Sequence, residues 1–94
     1  MKVEENVYLS KLFDAYGVLL SEGQRQIFSR YIEDDLTGSE IAEVLGVSRQ
    51  AVKDSLRKAE DKLKNMEEKL GFVKKLEALE KENAFLKEKI SKKR

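Results

Sequence analysis

The sequence of 94 residues contains no cysteine, no histidine and no proline, and it contains only five glycines. Without cysteine or histidine the chain can build neither a disulfide framework nor a Cys/His zinc site, and it has no thiol nucleophile or imidazole base. These absences exclude most familiar hydrolase and redox chemistry. We therefore expect a binding protein without a metal or cofactor, and not an enzyme.

Long hydrophobic runs and an excess of charge of one sign are also absent. Charged residues make up 39% of the chain, which leaves no apolar stretch long enough to span a membrane, and the segment 1–5 (MKVEE) lacks the apolar core of a signal peptide. We expect a cytoplasmic protein. Nineteen Lys and Arg residues against 18 Asp and Glu residues give a net charge of +1, so a nucleic-acid partner would have to be met by a local patch.

The apolar residues recur at steps of three and four, and no stretch alternates between apolar and polar residues as a half-buried strand does. This pattern predicts an all-α fold. The first helical stripe is predicted to include Val7, Tyr8, Leu12, Ala15, Tyr16, Leu19 and Leu20, with Gly17 weakening its last turn. Ser21 is predicted to cap the second helix.

Residues 37–52 carry the pattern of a helix-turn-helix motif. Thr37 and Glu40 form a capping box ahead of a short apolar helix. Gly46 can adopt the positive φ of a C-terminal cap, and Ser48 can cap the next helix. The residues predicted to fill the wedge between the helices are Ile41, Leu45, Val47 and Val52. An ordinary helical hairpin with the same core is the alternative.

The second helix of this motif exposes side chains that suit nucleic acid. Arginine can form two hydrogen bonds with guanine, and glutamine can form two with adenine. Lysine, a second arginine and a serine at the helix N-terminus can bind phosphates. The predicted nucleic-acid-binding residues are Ser48, Arg49, Gln50, Lys53 and Arg57. DNA is favoured over RNA because the deep groove of duplex RNA admits no helix. Residues 36–58 have a net charge of only +1, so a protein contact through this face stays an alternative.

The stretch from Leu12 to Leu63, including the segments 31–36 (YIEDDL) and 47–52 (VSRQAV), resembles the YlxM family of small bacterial helix-turn-helix proteins. The domain of that family is similar to region 4 of sigma factors. The resemblance implies a DNA-binding regulator or an accessory of the signal recognition particle pathway. The alternative is a dimeric module that binds the particle's RNA or GTPase without sequence-specific DNA binding.

After Gly71 the pattern becomes a heptad repeat, in which apolar residues and one asparagine alternate at steps of three and four. The predicted interface of a homodimer consists of Leu76, Leu79, Asn83, Leu86 and Ile90. In a parallel dimer this register places Lys75 opposite the partner's Glu80 and Glu82 opposite the partner's Lys87. A lone asparagine at an a position fixes the register of two-stranded coils. A helix folded back on the chain's own core, or dimerisation through the preceding helix, are the alternatives.

Two charged clusters remain. Residues 73–94 hold eight Lys and Arg residues against four glutamates, and a basic tail of this kind can hold phosphates or form a solvated terminus. Glu33, Asp34 and Asp35 could hold a hard cation, but we interpret them as a polar turn. The sequence as a whole predicts a helix-turn-helix domain over residues 1–70. A coiled-coil-like helix with a basic tail is predicted over residues 71–94.

Overall fold

The computed structural model describes residues 3–92 and, within them, the side chains of residues 5–90. Its elements are α1 (Val3–Tyr16), a 3-10 turn (Gly17–Leu19), α2 (Glu22–Ile32), α3 (Gly38–Leu45), α4 (Arg49–Leu70) and α5 (Phe72–Lys92). Residues 3–92 contain no strand, and the predicted all-α fold is confirmed. No helix in this part of the chain is long and apolar enough to cross a membrane.

The larger of two hydrophobic clusters gathers α1, α2, α4 and the start of α5. Leu9 and Leu12 of α1 are fully buried in it, together with Phe28 of α2. The prediction that Val7 and Tyr8 begin the buried stripe was wrong, since both are exposed. A helix turns by about 100° per residue, so Leu9 shares a face with Leu12 while Val7 lies on the opposite side.

Helix α1 ends at Tyr16, and Gly17, which was predicted to weaken its last turn, begins the 3-10 turn. A Cβ at this position would lie 2.9 Å from two ring carbons of Phe13. That ring cannot easily move, because its centroid is 5.3 Å from that of Phe28. Lys62 of α4 donates a hydrogen bond to the Leu19 carbonyl (3.1 Å) and holds the 3-10 turn against the domain.

The second helix begins at the predicted cap and ends in the predicted polar turn. Ser21 Oγ accepts a hydrogen bond from the Gln24 N–H (3.3 Å). At the other end Asp35 takes a left-handed conformation with φ 56°, and the Leu36 N–H donates to the Arg30 carbonyl (3.1 Å). This turn reverses the chain so that α3 can begin beside α2.

A hydrogen-bonded junction centred on Glu67 joins α4 to α5. Gly71 ends α4 with φ 60°. The Glu67 carboxylate accepts hydrogen bonds from the N–H groups of Val73 and Lys74 (both 3.0 Å), so it caps the N-terminus of α5. It also accepts one from the Tyr16 hydroxyl (2.7 Å), whose oxygen in turn accepts from the first N–H of α5 (3.1 Å). One carboxylate thereby connects α1, α4 and α5.

Helix α5 starts in the core and then leaves it. Val73 is buried in the larger cluster, and Lys11 of α1 pairs with Glu77 at 3.1 Å. From residue 78 to residue 90 every side chain is exposed, and the molecule is elongated, with extents of 59 × 26 × 21 Å. The division of the chain at residue 71 stays a prediction. Residues 93 and 94 of the predicted basic tail lie outside the described residues.

Candidate nucleic-acid interface

The connection between α3 and α4 is a short turn with a cap on either side. The Glu40 N–H donates to Thr37 Oγ1 and the Thr37 N–H donates to Glu40 Oε1, each at 3.1 Å, which confirms the predicted capping box. Gly46 ends α3 in the left-handed conformation, with φ 68° and ψ 33°. Ser48 starts α4 by accepting a hydrogen bond from the Ala51 N–H (3.0 Å). These local bonds fix where both helices begin and end.

A second, smaller hydrophobic cluster sets the crossing of the two helices. Ile41 and Ala42 of α3 are buried against Val52 of α4. The partly buried residues around them are Ile27, Tyr31, Leu36, Leu45 and Leu56. Since α2 and Leu36 fill the wedge from the other side, the site is held by three helices and not by an isolated hairpin.

Val47 is the one predicted wedge residue that the structure contradicts. It was expected between the helices, but 44% of it is exposed. It follows the left-handed Gly46, and its N–H donates back to the Ala42 carbonyl (3.1 Å), so the turn itself carries the side chain outward. The partly buried residues that pack against Ile41, Ala42 and Val52 come from α2, Leu36, Leu45 and Leu56, and Val47 is not among them.

The five residues predicted to bind nucleic acid lie together at the start of α4, and all five are exposed. Arg49, Lys53 and Arg57 are spaced by four residues, so they form a row along the helix. Gln50 lies beside this row, and Ser48 stands at the N-cap. The structure thus places all five on one continuous surface.

Gln50 and Asp54 form a hydrogen-bonded pair within this surface. Gln50 Nε2 donates to Asp54 Oδ1 at 3.0 Å. The bond turns the amide so that its Oε1 and its second N–H stay free, and it places a carboxylate next to the row of cations. The pairing could have been found from the sequence, because residues four apart on a helix are neighbours.

Electrostatically the row is open to a ligand. Within the part of the chain that the structure describes, no ion pair joins Arg49, Lys53 or Arg57 to a carboxylate, whereas Lys11 pairs with Glu77 and Lys64 pairs with Glu60. A basic side chain without an ion-pair partner can meet a phosphate without first breaking a salt bridge.

Acidic and apolar residues border the row on the side of α3. A shallow depression there is lined by Ser39, Glu40, Ala42, Glu43, Val47, Ser48 and Arg49. Val44 of α3 is also exposed, at 59%. This border was missing from the sequence prediction. The helical phase could have revealed it, since Ile41, Ala42 and Leu45 turn inward and leave Glu43 and Val44 outward.

The acidic segment before α3 is a turn. Glu33 accepts a hydrogen bond from the Ser29 hydroxyl (3.0 Å), and Asp35 occupies the left-handed turn position. Among the described residues, no group of three acidic side chains could hold a metal ion. These contacts fit the interpretation of this segment as a polar turn.

The five residues predicted to form a dimer interface lie in one row on the outer side of α5. Leu76, Leu79, Asn83, Leu86 and Ile90 are all exposed. Apart from the first of them, which borders a small groove against α1, they extend away from the helix-turn-helix domain. The structure therefore leaves this row uncovered by the domain.

This arrangement of capped helices around a left-handed turn is that of a helix-turn-helix protein. A comparison with protein-family models gives the same class of protein and also identifies the family. The chain belongs to the UPF0122 family, described as "Putative helix-turn-helix protein, YlxM / p13 like", which matches residues 3–94. The resemblance to the YlxM family is confirmed.

Several bacterial relatives support this membership. The chain is 44% identical over 85 residues to a UPF0122 protein of Caldanaerobacter subterraneus subsp. tengcongensis, covering 90% of this chain and 73% of the relative. It is 45% identical over 71 residues to one of Thermoanaerobacter sp. (strain X514), covering 76% and 61%. A UPF0122 protein of Bacillus cereus (strain AH187) is 42% identical over 89 residues, covering 95% and 81%. The matched relatives are thus somewhat longer than the stretch shared with this chain.

Proposed function

We propose that the protein is a cytoplasmic regulator that binds duplex DNA through the first turns of α4. The observation that carries this proposal is the exposed row of Arg49, Lys53 and Arg57, without ion-pair partners, on the second helix of the motif. The major groove of B-DNA admits one α-helix, and the N-terminal residues of such a helix meet base edges. Binding, without catalysis, is the whole of the proposed activity.

Each side chain of the row has a role that follows from its place. Arg49 lies in the first turn, where a guanidinium can reach guanine O6 and N7. Lys53 and Arg57 lie one and two turns further on, where the phosphates of the groove wall pass. Ser48 Oγ accepts a hydrogen bond from the Ala51 N–H, and its hydroxyl hydrogen can be donated to a phosphate oxygen.

The pair of Gln50 and Asp54 makes this face selective. With one amide hydrogen donated to Asp54, Gln50 still offers an acceptor and a donor, which is the pattern that adenine N6 and N7 require. The Asp54 carboxylate can accept from cytosine N4 but repels phosphate. It therefore weakens binding to DNA in general more than binding to a sequence that satisfies it.

Binding measured against salt concentration tests this proposal. Each phosphate contact contributes about −0.9 to the slope of log K against log salt, so a complex in which Lys53 and Arg57 each hold a phosphate has a slope of about −2 from these two contacts. Lys53→Ala should reduce the slope by about one for all sequences. Arg49→Ala should also relax the preference at one base pair. The control is Lys69→Ala, which removes an exposed cation in the last turn of the same helix.

DNA selected from a random pool at low ionic strength is the probe for these measurements. If no DNA is bound in a salt-dependent manner, the proposal is wrong. If Lys69→Ala weakens binding as much as Lys53→Ala, the contact lies elsewhere on the chain.

A second candidate function is that of an accessory of the signal recognition particle pathway, which binds the particle's RNA or its GTPase. The observation that favours a protein partner is the border of the row, where exposed Val44 and Val47 lie beside Glu40 and Glu43. Acidic side chains oppose nucleic acid but suit a basic protein surface with an apolar centre. Parallel titrations with the RNA, the GTPase and random DNA at one salt concentration separate the two functions. Val44→Asp should abolish only the binding of a protein.

A further inference from the structure

Helix α5 has two faces of interest, and only one of them contacts the helix-turn-helix domain. Val73 and Glu77 turn toward the domain, where the first is buried and the second pairs with Lys11 at 3.1 Å. The row of Leu76 and Leu79 lies about 100° around the helix from that face. The contact with the domain therefore leaves the heptad row uncovered.

The open row is longer by one layer than the heptad repeat predicted from the sequence. Phe72 is the first residue of α5, lies seven residues before Leu79 and is 52% exposed. It therefore shares a heptad position with Leu79 and Leu86. The complete row consists of Phe72, Leu76, Leu79, Asn83, Leu86 and Ile90, six layers over about 27 Å of helix.

We propose that this row is a docking surface for a second copy of the chain, and that the two α5 helices form a parallel, two-stranded coil. Large apolar side chains repeated along one exposed line of a helix are unfavourable in water, and an identical row is complementary to them. The coil begins at the domain and ends near Ile90. Both helix-turn-helix motifs then lie at the same end of the dimer.

The charges beside the row identify a second copy as its partner. In the parallel arrangement Lys75 faces the partner's Glu80, and Glu82 faces the partner's Lys87, so every such pair among the described residues is opposite in sign. Among the residues whose side chains the structure describes, none of these four takes part in an ion pair with its own chain. The flanking charges are therefore available to the second copy.

Asn83 selects the parallel orientation. In a parallel coil it lies opposite the partner's Asn83, and the two amides can bond to each other. In an antiparallel coil an a position meets a d position, which here is always Phe72, Leu79 or Leu86. The asparagine amide would then be buried against an apolar side chain without a partner.

Light scattering of the whole chain over a series of concentrations tests the dimer. Leu86→Asp should give a monomer. Phe85→Asp is the matched control, because Phe85 is a neighbouring exposed apolar residue (61%) that lies outside the row, and it should leave the dimer intact. Both positions lie beyond the part of α5 that contacts the domain, so circular dichroism should show the domain still folded. A wild-type chain that stays monomeric at every concentration would refute the proposal.

Charge exchange provides a second test. Glu82→Lys or Lys87→Glu alone turns two symmetry-related attractions into repulsions and should raise the dissociation constant about tenfold. The double variant should restore it, whereas Lys81→Glu, on the opposite side of the helix, should have no such effect. If the double variant dissociates as readily as the single variants, these residues do not face each other.

Crosslinking tests the orientation, since the natural chain has no cysteine. Asn83→Cys should form a disulfide between subunits on oxidation, because facing a positions bring the two Cα atoms within disulfide distance. Phe85→Cys, outside the row, should not. A dimer that forms but does not crosslink through residue 83 would contradict the parallel arrangement. None of these outcomes depends on whether DNA is bound.

Discussion

The same substitution, glycine to alanine, should have opposite effects at two positions of this chain. Gly46 holds the turn of the motif with φ 68°, and an added Cβ would meet no atom within 4 Å. The cost of Gly46→Ala is therefore the cost of a left-handed backbone alone, about 1–2 kcal/mol. Gly23 lies in the first turn of α2, and its added Cβ also meets nothing. Alanine there removes freedom from the unfolded chain and should stabilise by about 0.5 kcal/mol.

Thermal unfolding followed by circular dichroism measures both effects. For a domain of this size 1 kcal/mol corresponds to about 4–8 °C, so Gly46→Ala should lower Tm by at least about 4 °C and Gly23→Ala should raise it by a few degrees. Gly46→Asn provides the discriminating variant. Asparagine tolerates the left-handed region better than alanine, so it should recover part of the loss.

Two results would refute this reasoning. If Gly46→Ala is as stable as the natural chain, the turn is not left-handed. If asparagine at this position is no better than alanine, the loss arises from something other than backbone conformation. Either result would remove the geometric basis for the orientation of α4, and with it the placement of the nucleic-acid surface.

Three further predictions concern the elements around the site. Burial raises the pKa of Glu67, but hydrogen bonds from Tyr16 and the start of α5 outweigh it and leave this pKa below its ordinary value of 4.5. The ionised Glu67 carboxylate therefore stabilises the fold above pH 4.5, and this stabilisation is lost as the pH falls further. Urea unfolding at several pH values should show that the difference in free energy of unfolding between the natural chain and Glu67→Gln becomes smaller in acid. Thr37→Ala removes one half of a capping box and should lower the free energy of unfolding in urea by about 1 kcal/mol. Glu40→Gln should lower this free energy by less. Leu63→Ala, at a fully buried position, should cost about 2–5 kcal/mol, and a loss well below this would indicate that α4 does not pack as described.

The parts of the fold that were predictable from the sequence depend on local signals. Thr37 with Glu40, Gly46 and Ser48 each act within four residues along the chain, so their residue types alone indicate the helix ends. The exposure of Arg49 follows from the inward phase of Val52 by helix geometry. For the same reason the grouping of the five candidate residues on one exposed surface could be predicted, while their binding role stays a prediction and the border at Glu43 and Val44 was not foreseen.

The features of the fold that the sequence did not predict depend on contacts between residues far apart in the chain. The hydrogen bond between Tyr16 and Glu67 joins positions 51 residues apart, and no local sequence pattern around either residue predicts this bond. Val47 looked like a core residue because it is apolar and next to Gly46. Its burial depends on the direction that the turn gives its side chain and on which residues pack against α3 and α4, and the packed structure shows both.

Helix α4 connects the two proposed surfaces without a flexible linker. It is about 33 Å long, has no glycine or proline between Arg49 and Leu70, and ends at Gly71, where Glu67 binds the start of α5. A parallel dimer built on α5 would therefore hold its two α4 helices at a nearly fixed separation, unlike domains joined by a glycine-rich linker. It follows that the spacing of two DNA half-sites would depend on Glu67, a residue far from any proposed DNA contact. Glu67→Ala should then widen the range of spacings that are bound while leaving the preference within each half-site unchanged.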